Sequence, residues 1–150
     1  MRVVIQRVKK ASVLIENKIF SSIENGLLVF VGIENSDNLD DVKWLSNKIL
    51  NLRIFNDNNN VMNLSAKDID AEILVVSQFT LHALTKKGNR PSYTKAASPK
   101  IAIPLYNAII NELKLLLCKE IKTGVFGADM EINLINDGPV TILIDTKNKE

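Results

Sequence analysis

The sequence predicts an α+β fold: a mostly antiparallel, barrel-like sheet packed with two main helices in one domain. Three observations lead there. Period-2 alternation rich in β-branched residues recurs from the first residues to the last. Residues 39–52 and 98–118 place apolar side chains at helical spacing. The order of these segments (several strands, helix, strands, helix, two strands) lacks the strict alternation of a doubly wound parallel sheet. At 150 residues the chain reads as one domain, 1–150, long enough for a sizeable core.

Residues 2–9 alternate, with Val3, Ile5 and Arg7 on one face and Val4, Gln6 and Val8 on the other, as in a strand. Residues 12–16 and 18–23 read as two short strands about a turn at Asn17. Residues 26–33 (GLLVFVGI) are nearly all apolar, the pattern of a central strand covered on both faces. The acids that follow would repel phosphate, so Gly32 does not open a phosphate loop. Asp37 or Ser36 can cap a helix whose stripe is Leu39, Val42, Leu45, Ile49 and Leu52; Trp44 beside it reads as core. Residues 53–55 and 61–64 form a hairpin about the turn Asp57-Asn58-Asn59-Asn60. Residues 72–81 (EILVVSQFTL) begin as a buried strand and run on without a turn signal.

Ser98 can cap a second helix with Pro99 at its first position and Ile101, Leu105, Ala108, Ile109, Leu113 and Leu116 facing inward. Pro104 lies too deep for the free first turn, which predicts a kink or a start nearer Ile103. Cys118, at the end of a leucine run, reads as a small buried hydrophobe. Residues 123–129 are glycine-interrupted. The chain then closes on strands at 130–135 and 140–145, separated by Asn136-Asp137-Gly138-Pro139. Val140, Ile142 and Ile144 share one face of the last strand.

Two stretches invite chemistry. Ser77, Gln78, Phe79 and Thr80 put polar groups at the end of a buried strand, where they need partners or a purpose. Satisfied hydroxyls and a site are both open readings. Gly138-Pro139 interrupts a strand with a residue free in φ and one lacking an N–H. Taken alone, that dipeptide reads as an ordinary turn. Residues 82–100 carry Lys86, Lys87, Arg90, Lys95 and Lys100, and no Asp or Glu occurs from Ile73 to Asn111. The net charge of +2 therefore conceals a cationic loop suited to phosphate. Tyr93 in it is of the type that stacks on bases; a solvated loop without a partner is the alternative.

Other chemistries lack residues. One histidine and one cysteine leave no metal cluster and no intramolecular disulfide, and no metal or cofactor is expected. On an extended chain Ser77 and His82 would stand about 16 Å apart and on opposite faces, too far for a nucleophile–base pair. No apolar stretch approaches a membrane span, and the N-terminal residues do not resemble a signal peptide, so the cytoplasm is the expected address.

SQFTL (77–81) and NDGPVT (136–141) resemble the two signature motifs of the D-aminoacyl-tRNA deacylases. MRVVIQRV, GLLVFVGI, WLSNKILNLRIF, MNLS, KKGNRPS and FGADM extend that resemblance over essentially the whole chain. The resemblance implies a homodimeric editing hydrolase with its active site at the subunit interface and D-aminoacyl-tRNA as partner. It implies a cis Gly138-Pro139 peptide whose carbonyls hold the substrate α-amino group and exclude an L side chain. Glycine would also be accepted. By the same resemblance Ser77, Gln78, Phe79 and Thr80 form the catalytic segment, with oxyanion stabilisation by main-chain N–H groups and help from the tRNA 2′-OH. Arg7 braces the Gly-Pro segment, and Phe126, Gly127, Ala128 and Met130 form the adenosine pocket. Contact of Lys86, Lys87, Arg90 and Lys95 with tRNA phosphates is an inference from charge. Position 82, aromatic in such sequences, is histidine here, which predicts altered packing or a local pH effect. A binding-only dimer and a small-molecule esterase are the competing classes. The first would need neither motif, and the second would not need the cationic loop.

Overall fold

The computed structural model describes residues 1–149. Eight strands and two helices follow one another as β1 (Arg2–Ile15), β2 (Lys18–Ile23), β3 (Gly26–Gly32), α1 (Leu39–Asn51), β4 (Phe55–Asn56), β5 (Met62–Leu64), β6 (Glu72–Ser77), α2 (Pro99–Leu117), β7 (Lys122–Thr123) and β8 (Glu131–Asp145). The α+β expectation holds, with a mixed sheet nearly closed into a barrel.

β1 is the spine. Residues 2–9 and 12–16 are not two strands but one, because β1 has a partner along its whole length. One edge pairs antiparallel with β3 over residues 2–8 and with β2 over residues 11–15. The other edge pairs antiparallel with β8 from Arg2 to Leu14. β3 continues the sheet in parallel to β6, and β6 to β7. The Ser21 hydroxyl on β2 donates to the Thr123 carbonyl on β7 at 2.7 Å, drawing the far ends of the sheet together.

Strand periodicity divides the interior in two. Leu27, Val29, Val31, Ile73 and Val75 point toward the helices, joining Val42, Leu45, Ile49, Leu105, Ile109 and Leu113. Leu28, Leu74 and Val76 point the other way, into the curl of the sheet, with Val8, Ala11, Val13 and Ile23. β3 and β6 are thus buried on both faces, as the apolar run at 26–33 predicts. Val140, Ile142 and Ile144 of β8 pack on the helix-side core.

Several local expectations are corrected. Asn38, not Asp37 or Ser36, caps α1: its side chain accepts from Asp40 N and Asp41 N, and Asp41 accepts from Asn38 N, a reciprocal capping box. Asp37 is buried instead, paired with the Met1 amino group. Leu39, in the first turn, is exposed. α2 starts at Pro99 and runs through Pro104. Pro104 lies on the exposed side, where water can serve the carbonyl its missing N–H leaves free. Ser98 makes no side-chain cap, and the buried stripe uses Ala102 and Tyr106 in place of the exposed Ile101. Cys118 is exposed, because it takes the left-handed C-cap conformation (φ 53°) that turns the chain off the helix. Trp44 does pack on the helix-side core, half-buried, with the Lys48 and Lys149 ammonium groups over its ring. Among the described residues no helix is long and apolar enough to cross a membrane.

The Lys147 ammonium, just beyond β8, ties the chain to the start of α1. It donates to Asp41 Oδ2 at 2.7 Å and to the Ser36 carbonyl at 3.0 Å. Burial pushes the Asp41 carboxyl up. Hydrogen bonds from Lys147, Thr146 and Asn38 together outweigh this and hold it below its ordinary value of 3.8. A lowered carboxylate stabilises the fold fully above its unfolded-state value and ceases to do so as pH falls through the folded-state value. Urea unfolding below about pH 4 should therefore lose stability with falling pH, and the loss should be shallower in Lys147→Met. A second prediction concerns the parallel β3–β6 pairing. A Cβ on Gly26 would lie 1.9 Å from the Glu72 carbonyl oxygen. Gly26→Ala should lower unfolding free energy by about 3 kcal/mol, read from the urea midpoint.

Candidate active site

β8 does not break at Gly138-Pro139 into two strands; it carries a bulge. Gln6 pairs with Thr141 and Val8 with Asn136, so the single residue Arg7 on β1 faces residues 137–140 on β8. Asn136 closes this excursion. Its Oδ1 accepts from Val140 N at 3.0 Å and its Nδ2 donates to Thr141 Oγ1 at 3.0 Å. The Gly138-Pro139 peptide is cis, Gly138 has φ +123°, and both residues are exposed.

Arg7 holds the bulge from beneath. Its guanidinium is buried, and the fork spans two elements. Nε donates to the Asp137 carbonyl at 3.2 Å and lies 3.0 Å from Asp137 Oδ2. Nη1 donates to the Ile54 carbonyl and to Asn56 Oδ1 at the β4 hairpin. A Cβ on Gly138 would stand 2.9 Å from both Arg7 Nη2 and Val140 Cγ2, so no larger residue fits without moving the clamp. Alternation put Arg7 on the face of Val3 and Ile5, and its bracing role came from the family resemblance. Asn136 and Asn56 were not singled out; the only sequence signal is the turn-forming character of asparagine.

The second stretch departs from the extended chain the sequence suggested. β6 ends at Ser77, and Phe79–His82 form a 3₁₀ turn. Gln78 N donates to the Val31 carbonyl at 2.7 Å, which fixes the turn to the end of β3. The Gln78 amide donates to Thr80 Oγ1, so that hydroxyl oxygen already accepts one hydrogen bond. The N–H groups that open such a turn, those of Phe79 and Thr80, have no acceptor within it. His82 is buried against Gly32, and neither ring nitrogen has a hydrogen-bond partner among the described residues. It forms no dyad with Ser77 or Thr80.

In one chain the two stretches are not brought together. Ser77 pairs with Val31, Val31 with Val3, and Val3 with Ile144. The bulge lies opposite Arg7, four residues further along β1. That is about 13 Å along the strands and three strand spacings, about 14 Å, across the sheet. Leu81 does approach β8, but at its far end. Arg2, a residue the sequence did not single out, donates to the Leu81 carbonyl at 3.2 Å and to Asp145 at 2.8 Å. A cleft of about 590 Å³ opens there between Trp44, Leu81 and Ile142–Asp145.

The expected adenosine-pocket residues divide between the two cores. Phe126 packs on the helix-side core, its ring edge-on to Tyr106 at 5.8 Å. Tyr106, also unremarked in the sequence, donates to the Val75 carbonyl at 2.8 Å; burial raises its phenol. Met130 packs in the curl of the sheet. Gly127 (φ +79°) and Ala128 turn the chain between them, Ala128 N donating to Val125 O. Lys86, Lys87, Arg90 and Lys95 are exposed on the segment before α2.

Residues 4–145 match the family described as D-Tyr-tRNA(Tyr) deacylase. The chain is 66% identical to a D-aminoacyl-tRNA deacylase of Flavobacterium psychrophilum and 61% identical to one of Bacteroides fragilis, each over all of both chains. Among solved structures it resembles a c-Myc DNA unwinding element binding protein at TM-score 0.92 and 38% identity, covering 97% of this chain and 99% of that one. A probable eukaryotic D-amino acid tRNA deacylase shares the fold at TM-score 0.83 and 15% identity, over 95% of this chain and 97% of that one. With its motifs in place and the match running from one end of the sheet to the other, the chain belongs to the D-aminoacyl-tRNA deacylase family.

Proposed function

We propose that the chain acts as a homodimer in which residues 77–80 of one subunit meet Gly138-Pro139 of the partner subunit, and that this composite site hydrolyses D-aminoacyl-tRNA while sparing the L ester. Membership of the family already gives the coarse activity, a deacylase acting in translation editing. The observation that carries the finer reading is the separation of the two motifs within one chain, together with the unpaired outer edge of β8. Among the described residues that fifteen-residue strand pairs only with β1, and it exposes Leu143 and Ile135, at 68% and 47%. A long edge strand with apolar side chains favours a partner. A second copy places the two motifs face to face without altering either subunit.

In this reading the Gly138 and Pro139 carbonyls accept from the substrate α-ammonium and fill the space an L side chain would need. Glycine, lacking a side chain, passes, so glycyl-tRNA mischarged on tRNA-Ala is a further substrate. Water adds to the ester carbonyl carbon; the oxyanion is met by the N–H groups of Phe79 and Thr80. The bond to the ribose 3′ oxygen then breaks, and that oxygen takes the proton water gives up. The neighbouring 2′-OH of the tRNA assists the transfer. Thr80 positions and does not attack, since its oxygen accepts from Gln78 and, among the described residues, no base hydrogen-bonds to it. Phe126, Gly127, Ala128 and Met130 shape the adenosine pocket, Arg7 holds the Gly138-Pro139 bulge, and the enzyme works in the cytoplasm. Structural likeness to a protein named for DNA binding supports a second reading, binding without turnover.

Purified protein should deacylate D-Tyr-tRNA and leave L-Tyr-tRNA intact; binding without loss of either ester would establish the second reading instead. Gly138→Ala should lower kcat/KM on the D ester about a hundredfold by displacing the bulge. Phe79→Pro should also be inactive, because it deletes one oxyanion donor. Mixed and allowed to exchange subunits, these two variants should regain about a quarter of wild-type activity, since half the dimers then carry one intact site of two. No recovery would place both motifs in the same subunit.

A further inference from the structure

The cationic segment is a hairpin with a defined base. Leu84 and Ser92 exchange both main-chain hydrogen bonds, Leu84 N to Ser92 O at 2.8 Å and Ser92 N to Leu84 O at 3.0 Å. Beyond it Ala96 N donates to Tyr93 O, Ala97 N donates to Ile33 O, and Ala96 bridges to Glu34. Lys86, Lys87 and Arg90 therefore project from a loop whose root is fixed to the catalytic end of the sheet. Among the described residues, Lys86, Lys87, Arg90 and Lys95 enter none of the ion pairs. Glu34, beside Ala96, is the acid the fold brings to the base of this hairpin.

Between hairpin and catalytic turn stands an aromatic pair. Phe79 and Tyr93 meet edge to face, ring centroids 5.0 Å apart and planes at 78°. Phe79 is 57% exposed and Tyr93 39%. Neither ring serves a core. Two perpendicular rings form a corner, with one ring face open to a flat, apolar ligand. Unpaired cations beyond an exposed aromatic step form the arrangement that takes single-stranded nucleic acid, bases on rings and phosphates on Lys and Arg. A lipid headgroup or an acidic peptide would use the cations but leave the rings without a task.

We infer that Phe79 and Tyr93 form a stacking step for the nucleotide preceding the terminal adenosine of the tRNA 3′ end, with Lys86, Lys87 and Arg90 on the phosphates upstream of it. This rests on the reading of the site as acting on that 3′ end. The step measures distance from the reacting ester: the base stacks beside Phe79, and the next residue, Thr80, opens onto the ester. Substrate is thereby selected for being attached to a polynucleotide as well as for its chirality.

The test compares D-tyrosyl-tRNA with D-tyrosyl-adenosine, which lacks every upstream nucleotide. In Tyr93→Leu the ratio of kcat/KM on the tRNA ester to that on the adenosine ester should fall about tenfold, through KM. Lys86→Ala/Lys87→Ala/Arg90→Ala should cut the salt dependence of tRNA binding by about two in the slope of log K against log salt. A short RNA ending in cytidine-cytidine-adenosine, with 2-aminopurine in place of the second cytidine, should be quenched by wild type and not by Tyr93→Leu. An unchanged ratio, or equal loss on both esters, would overturn the inference, as would equal competition by polyglutamate without loss of quenching. If wild type cleaves neither ester yet quenches the RNA, the hydrolase reading fails and the stacking step stands.

Discussion

The buried guanidinium of Arg7 is the constraint on which the rest depends. A charge held in the interior is tolerated only when its donors are met, and removing one member of such a pair costs about 3–5 kcal/mol. Arg7 meets its donors by reaching two elements at once: the Asp137 end of the β8 bulge and the Ile54–Asn56 corner of the β4 hairpin. The bulge needs that hold. Four residues of β8 pass one of β1, so the ladder between the strands is interrupted where Gly138 and Pro139 protrude. The Asn136 side chain replaces the missing ladder bonds from above, and Arg7 from below. The result is an exposed dipeptide on a rigid footing.

The 3₁₀ turn at Phe79–His82 is rigid for a different reason. β6 lies between β3 and β7 with apolar side chains buried on both faces, so its C-terminal end cannot shift without disturbing both cores. Gln78 N bonded to Val31 O carries that rigidity one residue past the strand. The chain then enters a 3₁₀ turn, turning its first N–H groups away from internal acceptors. This pair of N–H groups without an acceptor in the turn arises from the way a buried strand ends, not from any unusual side chain.

These rigid parts sit at opposite ends of one diagonal of the sheet. In the proposed dimer a second copy would meet the edge of β8 left unpaired among the described residues, beside the cleft at Leu81 and Leu143. The hairpin at 84–92 extends outward from the end of the sheet at Ser77, and Phe79 belongs to both the 3₁₀ turn and the aromatic corner.

Much of this was legible in the sequence because it is written in local periodicity. The alternation of Val140, Ile142 and Ile144, the apolar run at 26–33 and the stripe Val42, Leu45, Ile49 each determine an element by burying one face. The two signature stretches and the acid-free segment from Ile73 to Asn111 were visible as residue types. Tertiary structure decided what periodicity cannot express. Residues 2–15 are one strand because β8 lines their whole length, and residues 131–145 are one strand because Arg7 and Asn136 bridge the interruption. Phe79–His82 coil because the sheet ends, not because the sequence marks a turn there. Asn38 in place of Asp37, Cys118 exposed at a C-cap and Phe79 against Tyr93 all depend on neighbours distant in sequence or on the angle at which a chain leaves an element. Sequence alone determined which surfaces must be buried. The distance between the two motifs follows from strand order and register, which only long-range pairing fixes.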